Sequence, residues 1–207
     1  MIKPILTLLV VSGLLVGCAS EPNVYYTLTA NEQAQASNGQ RVIDAGATAL
    51  YTLSPVAIPA PVDDVMLVVR RSDDQLMKLA HDRWTAPLGK QVDNALAVAL
   101  TQVLGMPPLS RLQVAGKDSD VTRFSVDIQR FDLVPGQYAA LAAVWQLRRG
   151  ASNQSPATLT CYTEMRQPVD PGVAPLVRAQ QQNIAQLAQV MATVWQRGDL
   201  PASTRCQ

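Results

Sequence analysis

The residues of this chain that could do chemistry are few: one histidine, three cysteines and some adjacent acids. His81 lies in Leu79-Ala80-His81-Asp82-Arg83. Any Ser-His or Cys-His relay would have to use it, since there is no second imidazole. A relay also needs a nucleophile in a recognisable setting. There is no Gly-x-Ser-x-Gly elbow and no reactive-cysteine context. An exposed or structural histidine is the simpler reading. Asp63-Asp64 and Asp73-Asp74 are paired carboxylates of the kind a hydrolase uses. Both pairs flank strand-like runs, where adjacent acids ordinarily form solvated turns. Lys117-Asp118-Ser119-Asp120 has a D-x-D spacing, but no Gly and distal Glu complete a calcium loop. No Gly-rich phosphate loop is present. A single histidine also removes most His-based zinc sites. Trp84, Trp145 and Trp195 read as core or interface, not as ligand-stacking groups. The residue chemistry points away from an enzyme and away from a metal or cofactor site.

The cysteines carry a different message. Met1 to Ser20 reads MIKPILTLLVVSGLLVGCAS. Lys3 and the amino terminus make a weakly positive start, and an apolar run from Ile5 to Val16 follows. That run is shorter than the ~20 residues a transmembrane helix needs. It has the length of a signal-peptide core. A buried core helix would show a polar face, and this run has none. Leu15-Val16-Gly17-Cys18 resembles the lipobox of bacterial lipoproteins. The resemblance implies cleavage before Cys18, so that residues 1–17 are a removed signal peptide. Cys18 then carries the lipid and residues 18–23 form a short tether. Each buried CH₂ adds about 0.8 kcal/mol, so three acyl chains anchor stably. Ala19, in place of Asp, implies sorting to the outer membrane of a Gram-negative cell, with the body in the periplasm. Cys161 and Cys206 remain. In an oxidising compartment a disulfide between them is expected. It would pin the C-terminal tail to a strand.

With 207 residues and 22.3 kDa, the chain has room for one ordinary domain, here residues 24–207. The hydrophobic fraction is 48%, enough for a solid core. Basic and acidic groups number 17 and 16. Removing Lys3 with the signal peptide balances them. A neutral chain without a Lys/Arg cluster is a poor nucleic-acid binder.

Hydrophobic patterning divides the body into strands and two main helices. Val24 to Leu28 reads as a first strand. Asn31 to Ala49 is polar and small, a loop. Leu50 to Pro59 is extended, with Pro55 and Pro59 confining it to a sheet edge or end. Val65 to Arg70 is a short apolar run, a strand buried on both faces. Gln75 to His81 is a further strand. Leu88, Val92, Leu96, Ala99, Leu100 and Val103 then repeat at helical spacing. Pro87 fits the first turn, Thr85 or Ala86 the cap, and Gly105 with Pro107-Pro108 the stop. Phe124, Val126 and Ile128 alternate. Phe131 and Leu133 continue them only through a bulge. Leu141 to Leu147 and Leu159 to Met165 alternate in turn, which predicts an antiparallel meander. A long helix from Gly172 to Arg197 ends the pattern. Its polar face is neutral glutamine, unlike the Lys/Arg face of a membrane-surface helix. Docking on the sheet is expected. The fold class is therefore mixed α/β: a single domain with a largely antiparallel sheet, packed by one helix after Trp84 and one at the C-terminus.

Several segments in order carry a family likeness. They are Tyr25-Tyr26-Thr27-Leu28 after the lipobox, then Pro55-Val56-Ala57-Ile58-Pro59 before the strand at Met66. Arg83-Trp84-Thr85-Ala86-Pro87-Leu88 follows at the helix start. Phe124 to Phe131 then leads through Gly136 to the strand with Trp145, and the long helix closes the set. This order resembles the PqiC-type lipoproteins, the ABC-type transport auxiliary lipoprotein family. The resemblance implies a non-catalytic, outer-membrane lipoprotein facing the periplasm. It implies work with an MCE-domain partner that moves lipids between the two membranes, and is compatible with a homo-oligomer at the end of an MCE tube. No cofactor is implied beyond the covalent lipid on Cys18. Arg83, Trp84 and Pro87 are candidates for a partner contact, against a plain helix-start packing role. Two other readings stand beside this one. One is a lipoprotein that itself binds a small apolar ligand, and the other is a periplasmic hydrolase dependent on His81.

Overall fold

The computed structural model describes residues 21–29, 50–110, 121–149, 158–198 and 200–207. The expected signal peptide with Cys18, the segment Asn31–Ala49 expected to be a loop, and Lys117–Asp120 lie outside the described residues. Eight strands and two helices make up the described fold, which is mixed α/β. In chain order they are β1 (Val24–Tyr26), β2 (Tyr51–Leu53), β3 (Met66–Arg70), β4 (Leu76–Trp84) and α1 (Leu88–Leu104). Then come β5 (Thr122–Val134), β6 (Tyr138–Arg148), β7 (Thr158–Pro168), α2 (Val173–Arg197) and β8 (Thr204–Cys206).

The strands form two sheets where the sequence suggests one. A three-stranded sheet has the order β1-β4-β3, and a five-stranded sheet the order β2-β5-β6-β7-β8. The predicted meander is β5-β6-β7, antiparallel throughout. The anticipated bulge falls between Ile128 and Arg130. It turns one residue out of phase, so that Phe131 and Leu133 return to the core face with Phe124, Val126 and Ile128. β2 lies parallel to β5 at the sheet edge, where Pro55 ends it without loss of a ladder bond. Leu67, Val68 and Val69 of β3 are all buried, so both faces of that strand are covered.

The helices stack over one side of the larger sheet. α2 packs on β6 and β7, and α1 packs on α2. Leu176, Ile184, Leu187 and Met191 point inward at helical spacing, as do Leu88, Val92, Leu96 and Leu100 of α1. α2 is therefore a docked helix and its glutamine face looks outward. Both helices end at glycines with left-handed backbone, Gly105 (φ 76°) and Gly198 (φ 72°), whose amides bond to the carbonyls of Thr101 and Val194. A Cβ there would be strained. Pro87 is itself the N-cap of α1, so the helix begins one residue later than a cap at Ala86 would have it. Between helices and sheets, Tyr51, Phe124 and Trp195 meet edge to face with centroids 5.4–5.9 Å apart. Burial pushes the Tyr51 phenol up to about 12.

Candidate functional site

The acids near the helix start are not free turn formers. Asp63 Oδ1 accepts the Gly89 amide at 2.9 Å, in the first turn of α1. It caps a helix whose own N-cap residue, Pro87, has no side chain to do so. Asp64 Oδ1 accepts the Met66 amide at 2.9 Å, and its Oδ2 meets Lys78 Nζ at 2.5 Å. The Lys78 hydrogen bond, then the Met66 amide, holds the Asp64 carboxyl below the usual range. The pair lies in the turn before β3, as expected, Asp63 exposed and Asp64 half-buried, and has these partners in addition. His81 Nε2 lies 3.8 Å from Glu21 Oε2, at the end of the tether. Among the described residues no group of three His, Cys, Asp or Glu is placed to hold a metal.

The segment Arg83–Leu88 divides by residue. Trp84 is 2% exposed and packs in the core. Arg83 is half-buried and donates from Nε to Asn23 Oδ1 at 3.3 Å. Pro87 is exposed. Trp84 therefore suits the packing role, whereas Arg83 and Pro87 keep surface a partner could reach. Behind them, Gln91 of α1 fastens the end of the first strand. Its Oε1 accepts the Leu28 amide at 3.0 Å and the Thr27 hydroxyl at 3.1 Å, and its Nε2 donates to Thr85 Oγ1 at 2.6 Å. Leu28 is buried beneath. The small sheet exposes several apolar side chains, Val24, Tyr25, Leu76 and Met77, with Tyr25 at 62%.

The open face of the five-stranded sheet is built differently. The side away from the helices carries Asp132, Ala140 and Arg166 in one cross-strand row, and Arg130, Ala142 and Glu164 in the next. A further row holds Asp127, Val144, Tyr162 and Arg205. The alanines let long side chains lie across β6. Arg130 spans it to reach Glu164 Oε1 at 3.5 Å. Asp132, 4% exposed, takes Arg70 Nε at 2.9 Å on one oxygen and Arg130 Nε on the other. The bond to Asp132 raises the Arg130 guanidinium above its ordinary value. Arg166 lies over the Tyr138 ring, 3.5 Å from its centroid. The Tyr162 hydroxyl donates to Glu164 Oε2 at 3.1 Å. Burial and then that bond push its phenol up. A shallow depression beside Tyr162 is lined by Val144, Thr160 and Arg205.

On the helix side, the same sheet is tied by polar groups that sequence reasoning missed. Gln180 Nε2 donates to the carbonyls of Asp132 and Ala140 at 3.0 and 2.9 Å. Asn183 Nδ2 donates to Gln180 Oε1 at 3.1 Å. Both residues are fully buried. Their spacing was the available signal, since Gln180 lies four residues from both Leu176 and Ile184, on the apolar stripe. Cys161 and Cys206 are directly opposed on β7 and β8 and are disulfide-bonded. Next to them, Trp145 Nε1 donates to Thr163 Oγ1 at 3.0 Å, and Thr163 meets the Thr204 hydroxyl at 2.9 Å.

Comparison with known proteins addresses most of this domain. The family model described as the ABC-type transport auxiliary lipoprotein component matches residues 26–192. A solved structure described only as an uncharacterized protein is similar, with a TM-score of 0.58 and 21% identity over 83% of this chain and 97% of that one. A Xanthomonas campestris protein has a TM-score of 0.54 and 16% identity over 70% and 82% of the two chains. At these identities the structures speak for the fold. No curated protein matches the chain.

Proposed function

The chain belongs to the ABC-type transport auxiliary lipoprotein family, and from that premise we propose that it is a docking subunit of an MCE-type intermembrane lipid transport system. In this reading it is anchored to the outer membrane through Cys18, faces the periplasm and turns over no substrate. The observation that carries the reading is the family match across residues 26–192. Two features of the molecule support it. The interior is filled by its own side chains, Trp145, Tyr51 and Phe124 among the largest, which favours docking over holding a lipid inside. The open sheet face offers arginine and tyrosine, residue types that protein interfaces favour.

The test is crosslinking in intact cells with a tag after Gln207, followed by identification of what is captured. Capture of an MCE-domain protein is the expected result. Capture of only the protein itself and phospholipid would replace this reading with the ligand-binding lipoprotein. The anchor has its own test. Cys18→Ser is expected to abolish acyl labelling and leave the precursor uncut, and normal processing of that variant would remove the lipid anchor from the proposal.

A further inference from the structure

The open face of the five-stranded sheet has a charge that the whole chain does not. Arg123, Arg130 and Arg148, with Arg166 and Arg205, lie on its outward positions, and Arg70 reaches in from β3. Against these six stand Asp127, Asp132 and Glu164, for a net charge of +3 on the face of a chain whose formal net charge is +1. Asp132 and Glu164 are already engaged by Arg70 and Arg130. Arg166 and Arg205 are exposed and have no carboxylate within ion-pair distance among the described residues. Tyr138 and Tyr162 stand beside them.

We propose that this face, centred on Arg166, Arg205 and Tyr162, docks a carboxylate-rich surface of a partner protein. Three observations choose a protein over anionic lipid. Every cation here is arginine, whose planar fork grips a carboxylate through two bonds. Asp127 and Glu164 are interleaved with the arginines, and would be repelled by a uniformly anionic headgroup layer. The face also lies on β5 to β8, whereas the tether enters at β1, on the far edge of the other sheet. The interleaved acids serve a second purpose. Asp132 and Glu164 hold Arg130 across the alanine floor, so the guanidinium is ordered before a partner arrives. Charge of this kind sets association rate and partner choice.

The identity of the partner rests on the transport reading; the location of the face does not. The experiment places a photo-crosslinking residue at Tyr162, and separately at Tyr25 on the three-stranded sheet, in the full-length protein in intact cells. The expected result is a crosslink from Tyr162 to the MCE-domain protein. It should fall at least tenfold when Arg166→Glu and Arg205→Glu are combined, and much less with Arg166→Lys and Arg205→Lys. Thermal unfolding of the purified variants checks that they remain folded, and both side chains are exposed. A crosslink to the MCE-domain protein from Tyr25 but not from Tyr162 overturns this face and leaves the transport reading intact. A charge-sensitive crosslink from Tyr162 to a different, identified acidic protein keeps the face and removes the transport reading. Phospholipid as the only adduct at Tyr162, a yield indifferent to charge reversal, or no adduct from either position overturns the proposal.

Discussion

The two sheets of this protein solve the same problem by different means. The centre of the five-stranded sheet is made of long hairpins whose partners are near in sequence, with the short β2 and β8 added at its edges. β5, β6 and β7 pair over 11 to 13 residues each, and alternation along them keeps one face apolar. Its local ladders nearly define it, and the disulfide closes its far edge. The three-stranded sheet has little of this. β1 and β3 are three and five residues long, and the β3–β4 register slips between Met66 and Val68. It is held by side chains from elsewhere: Gln91 on Leu28, Asp64 on Lys78 and Asp63 on the start of α1. The difference teaches that one sheet is stabilised by its own pattern and the other by tertiary clasps. Their exposed side chains differ too: paired charges on one sheet, and on the other apolar groups such as Tyr25 and Met77 beside Lys78 and Arg83.

Three perturbations should separate the two. The largest effect is expected from breaking the disulfide. The loop spans 45 residues, for which chain entropy gives about 4 kcal/mol. Replacing both cysteines with serine should lower the unfolding free energy by that order, read as a fall in the denaturant midpoint. Hydrogen exchange should quicken first at Thr204–Cys206, because three ladder residues alone hold β8 weakly. An unchanged midpoint would mean that the larger sheet is complete without its covalent edge. Next is Gln91→Ala. It strands the buried Leu28 amide, and an unsatisfied buried donor costs about 1–3 kcal/mol. Exchange should rise over residues 24–28 and stay unchanged in β5 and β6; a uniform rise would show that the clasp serves the whole domain. The smallest effect concerns pH. Asp64 is depressed in the folded protein relative to the usual 3.8, so it binds its proton less readily folded than unfolded. Its contribution to stability is therefore fully present above about pH 4. It is lost as pH falls through the folded value. Urea titrations of Asp64→Asn and the parent should converge in that acid window and differ above it. A constant difference down to pH 2 would show that Lys78 is not the reason Asp64 matters.

The elements with a strong period were legible in the sequence. Leu176 to Trp195 repeats like a helix because its apolar residues must share one side, and Leu141 to Leu147 alternates because a pleated strand shows one face to the core. The bulge after Ile128 was visible as a break in phase. The turn at Asp63-Asp64 was legible but its cap on α1 was not, because capping is a relation between places, not a property of a dipeptide. Nothing local says that residue 63 will stand over residue 89. Gln180 and Asn183 read as two more amides on an amide-rich helix, although each lies inside and bonds to the sheet or its neighbour. The arginine face was partly readable. Alternation with Phe131 and Met165 puts Arg130, Glu164 and Arg166 on the opposite side. It does not say that Arg70 will join them from another sheet.

By itself the sequence determined the kind of body, a mixed α/β domain with one helix after Trp84 and one at the C-terminus, and carried the family likeness. Those follow from composition, short motifs and periods, which are properties of neighbours along the chain. Tertiary structure alone decided that the strands split into two sheets, that Asp63 caps α1 and that Arg70 of β3 and Arg205 of β8 join the arginines of β5 and β7 on one face. Charge and hydrogen bonds act over a few ångströms in space. Residues 70, 130, 166 and 205 become neighbours only when the chain has folded.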